Sequence, residues 1–194
     1  MPNPITHNLT RLTEFRGRDT RSQFWPWAAC VVGGAFALWM ATVALMVSST
    51  IAKVRAFTAA HPEQVEITTF AGTTSVQIHG DHPALTPDFA VMGWAIGAIA
   101  IVAVGLLAAA VARRLHDRGR SAFWGLAPLP FLAFGLVGVQ VVMREITTDV
   151  EPNMTLFLAI FLNNIVYLGV LLTLIIQLSG AGSREANRFG PPVG

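Results

Sequence analysis

The sequence predicts an all-α membrane protein with four transmembrane helices and both termini in the cytoplasm. Hydrophobic residues make up 53% of the chain and charged residues only 12%, whereas roughly 25% of the residues in a soluble domain are charged. Four apolar runs are each long enough to cross a bilayer, and most basic residues flank them on one side. Together these observations predict a single four-span membrane domain over residues 1–194.

The four apolar runs set the predicted spans, which cover about residues 24–47, 89–112, 122–143 and 156–178. As a helix, the first run rises roughly 35 Å, which exceeds a hydrocarbon core of about 30 Å. Its apolar core is longer than that of a cleavable signal peptide, so we expect a signal anchor. The remaining long segments are an outer loop at 48–88 and a cytoplasmic tail at 179–194.

The outer loop contains a segment in which polar and apolar residues alternate. This segment, residues 65–78, predicts a small β-hairpin. His61, His79 and His82 lie in the same loop. Because zinc requires three or four ligands held in place by further contacts, we interpret these histidines as solvated and predict no metal site.

Small residues are concentrated in the second span. Gly93, Gly97, Gly105 and Ala109 fall near one face of the predicted helix. Small residues let helix backbones approach closely in lipid, where van der Waals contact replaces the hydrophobic effect. The second span is therefore predicted to be the central helix of the bundle.

Polar amides and prolines mark the last two spans. Pro128 and Pro130 predict a kink in the third span, which also contains Gln140. Asn163 and Asn164 lie in the fourth span. We expect the amides to bond to another helix, with Gln140 as a partner, which stabilises a bundle by about 1 kcal/mol per bond. The alternative interpretation is that they line a substrate path.

The distribution of charge predicts the orientation. Four spans put the amino-terminal segment, the loop around His116 and the tail on one side of the membrane. That side carries ten of the thirteen Lys and Arg residues, at positions 11, 16, 18, 21, 113, 114, 118, 120, 184 and 188. Short positively charged segments stay in the cytoplasm, so both termini are predicted there. Trp25, Trp27 and Trp124 lie near the same boundary, where indoles are enriched.

Two short stretches of the chain are similar to each other. Residues 21–25 open the first span and residues 120–124 open the third, with Arg, Ser, Phe and Trp at matching positions. Ser22 and Ser121 are predicted to be the N-caps of these helices. The similarity has two explanations: the chain contains two related helical hairpins, or both stretches converged on the same interfacial chemistry.

Three basic motifs carry a resemblance to a known family. They are Phe15-Arg16-Gly17-Arg18 with Arg21 and Phe24-Trp25, Arg113-Arg114-Leu115-His116-Asp117 with Gly119-Arg120-Ser121, and Asn187-Arg188-Phe189-Gly190. In this order they resemble the signatures of the family called domain of unknown function 805 (DUF805). The resemblance implies a small multi-span protein of the bacterial inner membrane whose activity is unassigned. The outer loop is longer than the family pattern leads us to expect.

The motif residues form the candidate site. We expect the three motifs to meet in one cytoplasmic layer, where Asp117 neutralises part of an arginine cluster. On a helix, either Arg113 or Arg114 could pair with Asp117. The residues predicted to bind anionic lipid head groups or a partner protein are Arg16, Arg18, Arg21, Arg113, Arg114, His116, Asp117, Arg120 and Arg188.

Three classes of function remain open. We favour a non-catalytic membrane module that binds anionic lipids, a partner protein or further copies of itself. A small transporter or channel is the alternative, although the four spans contain no Asp, Glu, Lys or Arg. A lipid-active enzyme would use His116 and Asp117, but adjacent helical residues point about 100° apart and cannot bond to each other. No further catalytic or cofactor motif is present, and a net charge of +2 does not favour nucleic acid.

Overall fold

A computed structural model describes residues 3–80, 82–147 and 153–192. The link between the third and fourth spans and both ends of the predicted domain lie partly outside these residues. The described elements are α1 (Pro4–Leu9), α2 (Arg21–Ala60), β1 (Val65–Phe70), β2 (Thr73–Ile78), α3 (Phe89–Asp117), α4 (Leu129–Thr147) and α5 (Met154–Ser179). Short 3₁₀ helices cover Pro62–Gln64, Pro83–Leu85 and Ala122–Leu126.

Four helical segments are long and apolar enough to cross a membrane, which confirms the prediction of an all-α membrane protein with four spans. They are Arg21–Ala60, Pro83–Asp117, Ala122–Glu145 and Met154–Ser179. In the most apolar part of each, between 6% and 17% of the residues are buried within the protein. Such continuous exposed apolar surface is stable only when hydrocarbon surrounds it.

α2 extends well past the predicted first span. It has 40 residues and is therefore about 60 Å long, twice the thickness of the hydrocarbon core. Residues 48–60, predicted to be loop, belong to this helix. Ser48 and Thr50 donate their hydroxyl groups to carbonyls of the preceding turn, so these polar residues do not end the helix. Beyond it, β1 and β2 pair antiparallel with Val65 opposite Ile78, which confirms the predicted hairpin.

Two histidines of the segment between α2 and α3 pack against the end of α2. The rings of His61 and His82 lie 4.6 and 4.4 Å from the ring of Phe57, centroid to centroid. Nε2 of His82 lies 3.0 Å from the carbonyl oxygen of His79. The prediction that these histidines are simply solvated is therefore wrong for His61 and His82. No group of three or more His, Cys, Asp or Glu residues in the described ranges could hold a metal ion.

α3 is the central helix of the bundle, as the sequence predicts. It contacts α2, α4 and α5, and also the 3₁₀ helix that precedes α4. Ala109 is fully buried, and Gly93 lies against the side chain of Gln140. A Cβ atom at Gly97 or Gly105 would meet no other described atom within 4 Å. Part of the predicted small-residue face therefore contacts another helix, and part does not.

The prediction of a helix kinked at Pro128 and Pro130 is wrong. The third span consists of a 3₁₀ helix, Ala122–Leu126, followed by α4. Pro130 lies in the first turn of α4, where a backbone N–H has no partner within the helix. The prolines therefore separate two helical segments, because their missing N–H groups are tolerated at the start of the second.

The two similar stretches begin different kinds of helix. At the start of α2, the Thr20 hydroxyl accepts a bond from the N–H of Gln23, whose side-chain oxygen accepts one from the N–H of Thr20. This capping box makes Thr20 the N-cap in place of the predicted Ser22. Ser121 caps its 3₁₀ helix as predicted, by accepting a bond from the N–H of Phe123.

The buried core lies at the end of the bundle that carries the basic motifs. Its apolar side chains come from α2, α3 and α5. Trp27 is buried there, and its indole N–H donates to the carbonyl of Leu106 at 3.1 Å. It is therefore a core residue, not the interfacial residue that the sequence predicts. Trp25 and Trp124 are exposed, as an interfacial position requires.

Replacement of Gly138 by Leu should weaken the contact between α4 and α5. A Cβ atom at Gly138 would lie 2.8 Å from Cγ1 of Ile160, and overpacking of this kind costs about 1–3 kcal/mol. We expect a lower midpoint of thermal denaturation in detergent. Gly34→Leu is the matched control, because a Cβ atom there meets no described atom within 4 Å. Equal midpoints for the two variants would contradict this packing.

Candidate functional site

Three segments that are distant in sequence meet at one end of the bundle, as the sequence predicts. They are the segment before α2, the end of α3 and the tail after α5. The carboxylate of Asp117 accepts hydrogen bonds from Nε and Nη2 of Arg18 at 3.0 and 2.9 Å. Its backbone carbonyl accepts a bond from the N–H of Ser183 at 2.9 Å. Asp117 therefore joins all three segments.

Arg114 completes the ion pairing of Asp117. Its Nη1 donates to the carboxylate oxygen Oδ2, while Arg18 occupies Oδ1. All three side chains are buried. Of the two pairings considered for Asp117 on α3, the one with Arg114 forms. Arg113 is directed to a different carboxylate.

That second carboxylate is Asp19, which the sequence analysis missed. Nε of Arg113 donates to Oδ2 of Asp19 at 2.6 Å, and Nε2 of His7 lies 3.1 Å from Oδ1. Nη2 of Arg113 donates to the side-chain oxygen of Asn8 at 2.7 Å. The available signal was an acidic residue directly after Arg18 in a segment otherwise rich in arginine. We call Arg18, Asp19, Arg113, Arg114 and Asp117 the buried arginine layer.

The buried arginine layer contains three guanidinium groups and two carboxylates. Backbone carbonyls supply the remaining acceptors. Nη1 of Arg113 donates to the carbonyls of Arg11 and Glu14 at 2.8 and 2.6 Å. Nη2 of Arg18 donates to the carbonyl of Ser183 at 2.6 Å. These bonds compensate the loss of hydration that burial imposes on a charge.

Arginines of α3 also bind the carboxyl-terminal end of α5. Nε of Arg114 donates to the carbonyl of Leu178 at 2.8 Å, and Nη2 donates to the carbonyl of Gly180. Nη1 of Arg118 donates to the carbonyl of Gln177 at 2.7 Å. The last carbonyls of a helix lack partners within it and carry its partial negative charge, so cations are stabilising there.

Glycine allows the tail to pass close to the charged groups at the end of α3. A Cβ atom at Gly182 would collide with the carboxylate of Asp117, and one at Gly180 would collide with the guanidinium of Arg118. The short glycine-rich segment after α5 therefore allows the backbone to approach the charges closely. This role was not predicted, because the partners are distant in sequence.

The third motif folds over the end of α3. The side-chain amide of Asn187 donates to the carbonyl of His116 at 3.0 Å. The backbone groups of Asn187 and Gly190 bond to each other in both directions. The ring of Phe189 stacks on the imidazole of His116 with centroids 3.8 Å apart and an angle of 10° between planes. The motif thereby covers one face of a buried histidine.

The other four predicted arginines are exposed. They are Arg16, Arg21, Arg120 and Arg188, and we call them the exposed arginines. The guanidinium carbon of Arg188 lies 4.6 Å from the ring centroid of Phe189, and that of Arg120 lies 6.0 Å from the ring of Trp124. The predicted site therefore divides into buried residues that bond to each other and exposed cations that face the surroundings. Their role in binding stays a prediction.

An apolar cavity lies beside the buried arginine layer. Its volume is about 690 Å³, within the roughly 300–1,000 Å³ of small-molecule sites. Residues from α2 to α5 and from the 3₁₀ helix before α4 form its walls. Within the described part of the chain, the polar side chains in these walls are those of His116, Ser121 and Tyr167. No charged side chain of that part lines it.

The amides within the spans do not bond to one another. Nδ2 of Asn163 donates to the carbonyl of Phe131 on α4 at 3.0 Å, so its partner is on another helix as expected. Nδ2 of Asn164 donates to a carbonyl of its own helix. The predicted role of Gln140 as their partner is wrong, because its side chain lies against α3. Gln140 and Asn164 instead line a second cavity of about 260 Å³.

The comparison with protein families covers nearly the whole chain. The model of a family described as "Protein of unknown function (DUF805)" matches residues 12–191. The chain belongs to the DUF805 family. The matched region contains all three basic motifs, which confirms the resemblance that the sequence carries. The protein is thus an integral membrane protein of a family without an assigned activity. No curated protein and no solved structure matches it.

Removal of the Asp117 charge should destabilise the protein strongly. In the variant Asp117→Asn, two buried guanidinium groups lose their anionic partner, and loss of one member of a buried ion pair costs about 3–5 kcal/mol. We expect a large decrease in the midpoint of denaturation in detergent.

Glu14→Gln is the matched control for this experiment. Glu14 is exposed and accepts a 2.6 Å bond from Arg11. That bond and the charge of Arg11 lower the pKa of Glu14, but the pair is in contact with solvent. Its loss should leave the midpoint unchanged. If Asp117→Asn were as stable as this control, the buried ion pairs would not hold the three segments together.

Proposed function

We propose that the protein is a non-catalytic membrane module whose exposed arginines bind anionic lipid head groups. The observation that supports this most is the division of the basic motifs. Three of the arginines form buried ion pairs with Asp19 or Asp117: Arg18, Arg113 and Arg114. The four exposed arginines, Arg16, Arg21, Arg120 and Arg188, lie outside these pairs. A basic residue near an anionic membrane surface gains about 1 kcal/mol.

The surroundings of the exposed arginines support a membrane surface as their partner. Arg120 and Arg188 lie near the rings of Trp124 and Phe189. Trp124 is 48% exposed and Phe15, next to Arg16, is 50% exposed. Exposed aromatic rings beside cations are typical of the boundary between hydrocarbon and head groups.

The contacts of His116 and Asp117 support the non-catalytic part of the proposal. Both carboxylate oxygens of Asp117 accept hydrogen bonds from buried arginines, so both are already occupied by contacts within the protein. One face of His116 is covered by Phe189. A lipid-active enzyme that uses these two residues is therefore less favoured.

The proposed location is the inner membrane of a bacterium, with both termini in the cytoplasm. Ten of the thirteen basic residues flank the spans on one side. The contact between Arg18 and Ser183 supports a common side for the amino-terminal segment and the tail.

Reporter fusions test the orientation. A fluorescent protein that matures only in the cytoplasm should fluoresce when fused to either end of the chain. Alkaline phosphatase, which requires export to become active, should stay inactive at both ends and become active when inserted between β1 and β2. Phosphatase activity at either end would contradict the proposed orientation.

Removal of the exposed charges tests lipid binding. The combined variant Arg16→Gln, Arg120→Gln and Arg188→Gln should lose about 3 kcal/mol of preference for anionic lipid in total. The measurement is the difference in melting midpoint between nanodiscs of phosphatidylglycerol and of phosphatidylcholine. The wild type should be more stable in phosphatidylglycerol, and the variant should show a much smaller difference.

The matched control carries Lys53→Gln and Arg55→Gln, two exposed cations near the opposite end of α2. This variant should retain the preference of the wild type. A wild type with equal midpoints in the two lipids would overturn the proposal, as would a control that behaves like the triple variant.

A small transporter or channel is the second candidate. Leu132 and Tyr167 line both cavities, and Gln140 and Asn164 add polar atoms to the smaller one. Because no charged residue of the described chain lines either cavity, the candidate substrate is a neutral solute. Flux of small neutral solutes into proteoliposomes above that of protein-free vesicles would favour this function.

A further inference from the structure

The apolar cavity is partly open, and several apolar residues of its wall are also exposed on the surface of the protein. Two residues of its wall, Phe123 and Phe15, are 78% and 50% exposed. Val32 of α2, also in the wall, is 58% exposed. In a membrane, an opening flanked by exposed apolar side chains is in contact with the hydrocarbon chains of the surrounding lipid.

The walls of the cavity match a hydrocarbon chain. Leu107 and Val111 of α3 and Leu171 and Leu174 of α5 face it. A polar solute at these positions would lose its hydrogen bonds to water without replacement, whereas methylene groups gain van der Waals contact there. The cavity therefore favours a ligand with a long apolar part.

His116 supplies a polar group at the end of the cavity next to the buried arginine layer. The residue is 8% exposed, its ring stacks on Phe189, and its imidazole is close to the backbone of Gly17. Its buried Nδ1 has no hydrogen-bond partner among the described residues. His116 also lines the cavity, so a ring nitrogen at the cavity wall can form a hydrogen bond with a ligand oxygen.

Cations flank the same end of the cavity. Arg16 follows Phe15 and Arg120 precedes Ser121, and both of these neighbours line the wall. Arg188 lies over the ring of Phe189, which itself stacks on His116, so this cation is also near the imidazole. The site thus combines an apolar groove, a hydrogen-bonding imidazole and exposed positive charge. A phospholipid with an acyl chain and an anionic head group has the complementary chemistry.

We propose that the cavity binds one acyl chain of an anionic membrane phospholipid, with the polar part of that lipid at His116 and its phosphate at the exposed arginines. This inference rests on the proposed function and extends it, because it assigns a defined site to the chain as well as to the head group. The occupant is a lipid of the surrounding bilayer held in one place, not part of the mobile shell of lipids.

Photo-crosslinking of the wild-type protein tests the site directly. The probe is phosphatidylglycerol with a diazirine on one acyl chain, incorporated into nanodiscs, and the labelled residues are found by peptide mass spectrometry. We expect labelling of Leu107, Val111 and Leu171 well above that of Leu162 and Leu168, which are exposed on α5 outside the cavity. Labelling that is equal at both sets would overturn the proposal.

A cavity-filling variant provides the second test. Ala108→Phe places a ring inside the cavity, since Ala108 is part of the wall. We expect labelling of Leu171 to fall about tenfold, which corresponds to about 1.4 kcal/mol. The matched control is Ala98→Phe, which adds the same ring to an exposed position of α3 outside the cavity. Melting midpoints close to the wild type show that both variants fold. Undiminished labelling of a folded Ala108→Phe would overturn the proposal.

The variant His116→Phe tests binding of the lipid head group separately from binding of the acyl chain. It retains an aromatic ring against Phe189 and removes the imidazole nitrogens. We expect it to keep chain labelling but to lose part of the preference for phosphatidylglycerol over phosphatidylcholine. An unchanged preference would remove His116 from the site.

The two proposals fail in different ways. Diazirine-labelled phosphatidylglycerol and phosphatidylcholine could label the cavity equally and give equal melting midpoints. That result would rule out the proposed head-group binding but would leave the acyl-chain site in place. A melting preference for phosphatidylglycerol without labelling of the cavity would remove the acyl-chain site and leave the head-group function.

Discussion

The pairing of Asp117 with Arg18 and Arg114 is the interaction on which the rest of the structure depends. It connects the segment before α2 to the end of α3, and the carbonyl of Asp117 holds the tail. Because these charges are buried, each one is stable only while its partners are present. The positions of the exposed arginines follow from this constraint, since the same segments carry them.

Ion pairs at the end of the bundle suit a protein whose spans lie in hydrocarbon. In lipid, apolar side chains gain little by leaving the acyl chains for another helix, so association relies on close packing and polar contacts. Arg114 and Arg118 supply such contacts by binding the last carbonyls of α5. The adjacent core around Trp27 closes the same end. Elsewhere in the spans, most residues are not buried within the protein and are therefore available for contact with lipid.

This division explains how one set of motifs serves both stability and the proposed lipid binding. A guanidinium inside the buried arginine layer has its donors occupied and its position fixed. An exposed guanidinium beside Trp124 or Phe189 has donors that remain available for phosphate. His116 lies between these groups, with one face on Phe189 and its edge at the apolar cavity. The arrangement therefore presents cations, a hydrogen-bonding ring and an apolar groove within a short distance.

The sequence by itself determined the membrane class, the four spans, the hairpin and the three motifs. These depend on local properties: the length of apolar runs, the alternation of side chains and short patterns. The tertiary structure decided that Arg113 is buried against Asp19 while Arg120 is exposed, although both are arginines of one motif. It also decided that α2 continues through residues 48–60 and that the third span begins as a 3₁₀ helix. Burial and pairing depend on partners such as Arg18 and Asp117, which lie 99 positions apart in the chain and meet only after the helices pack.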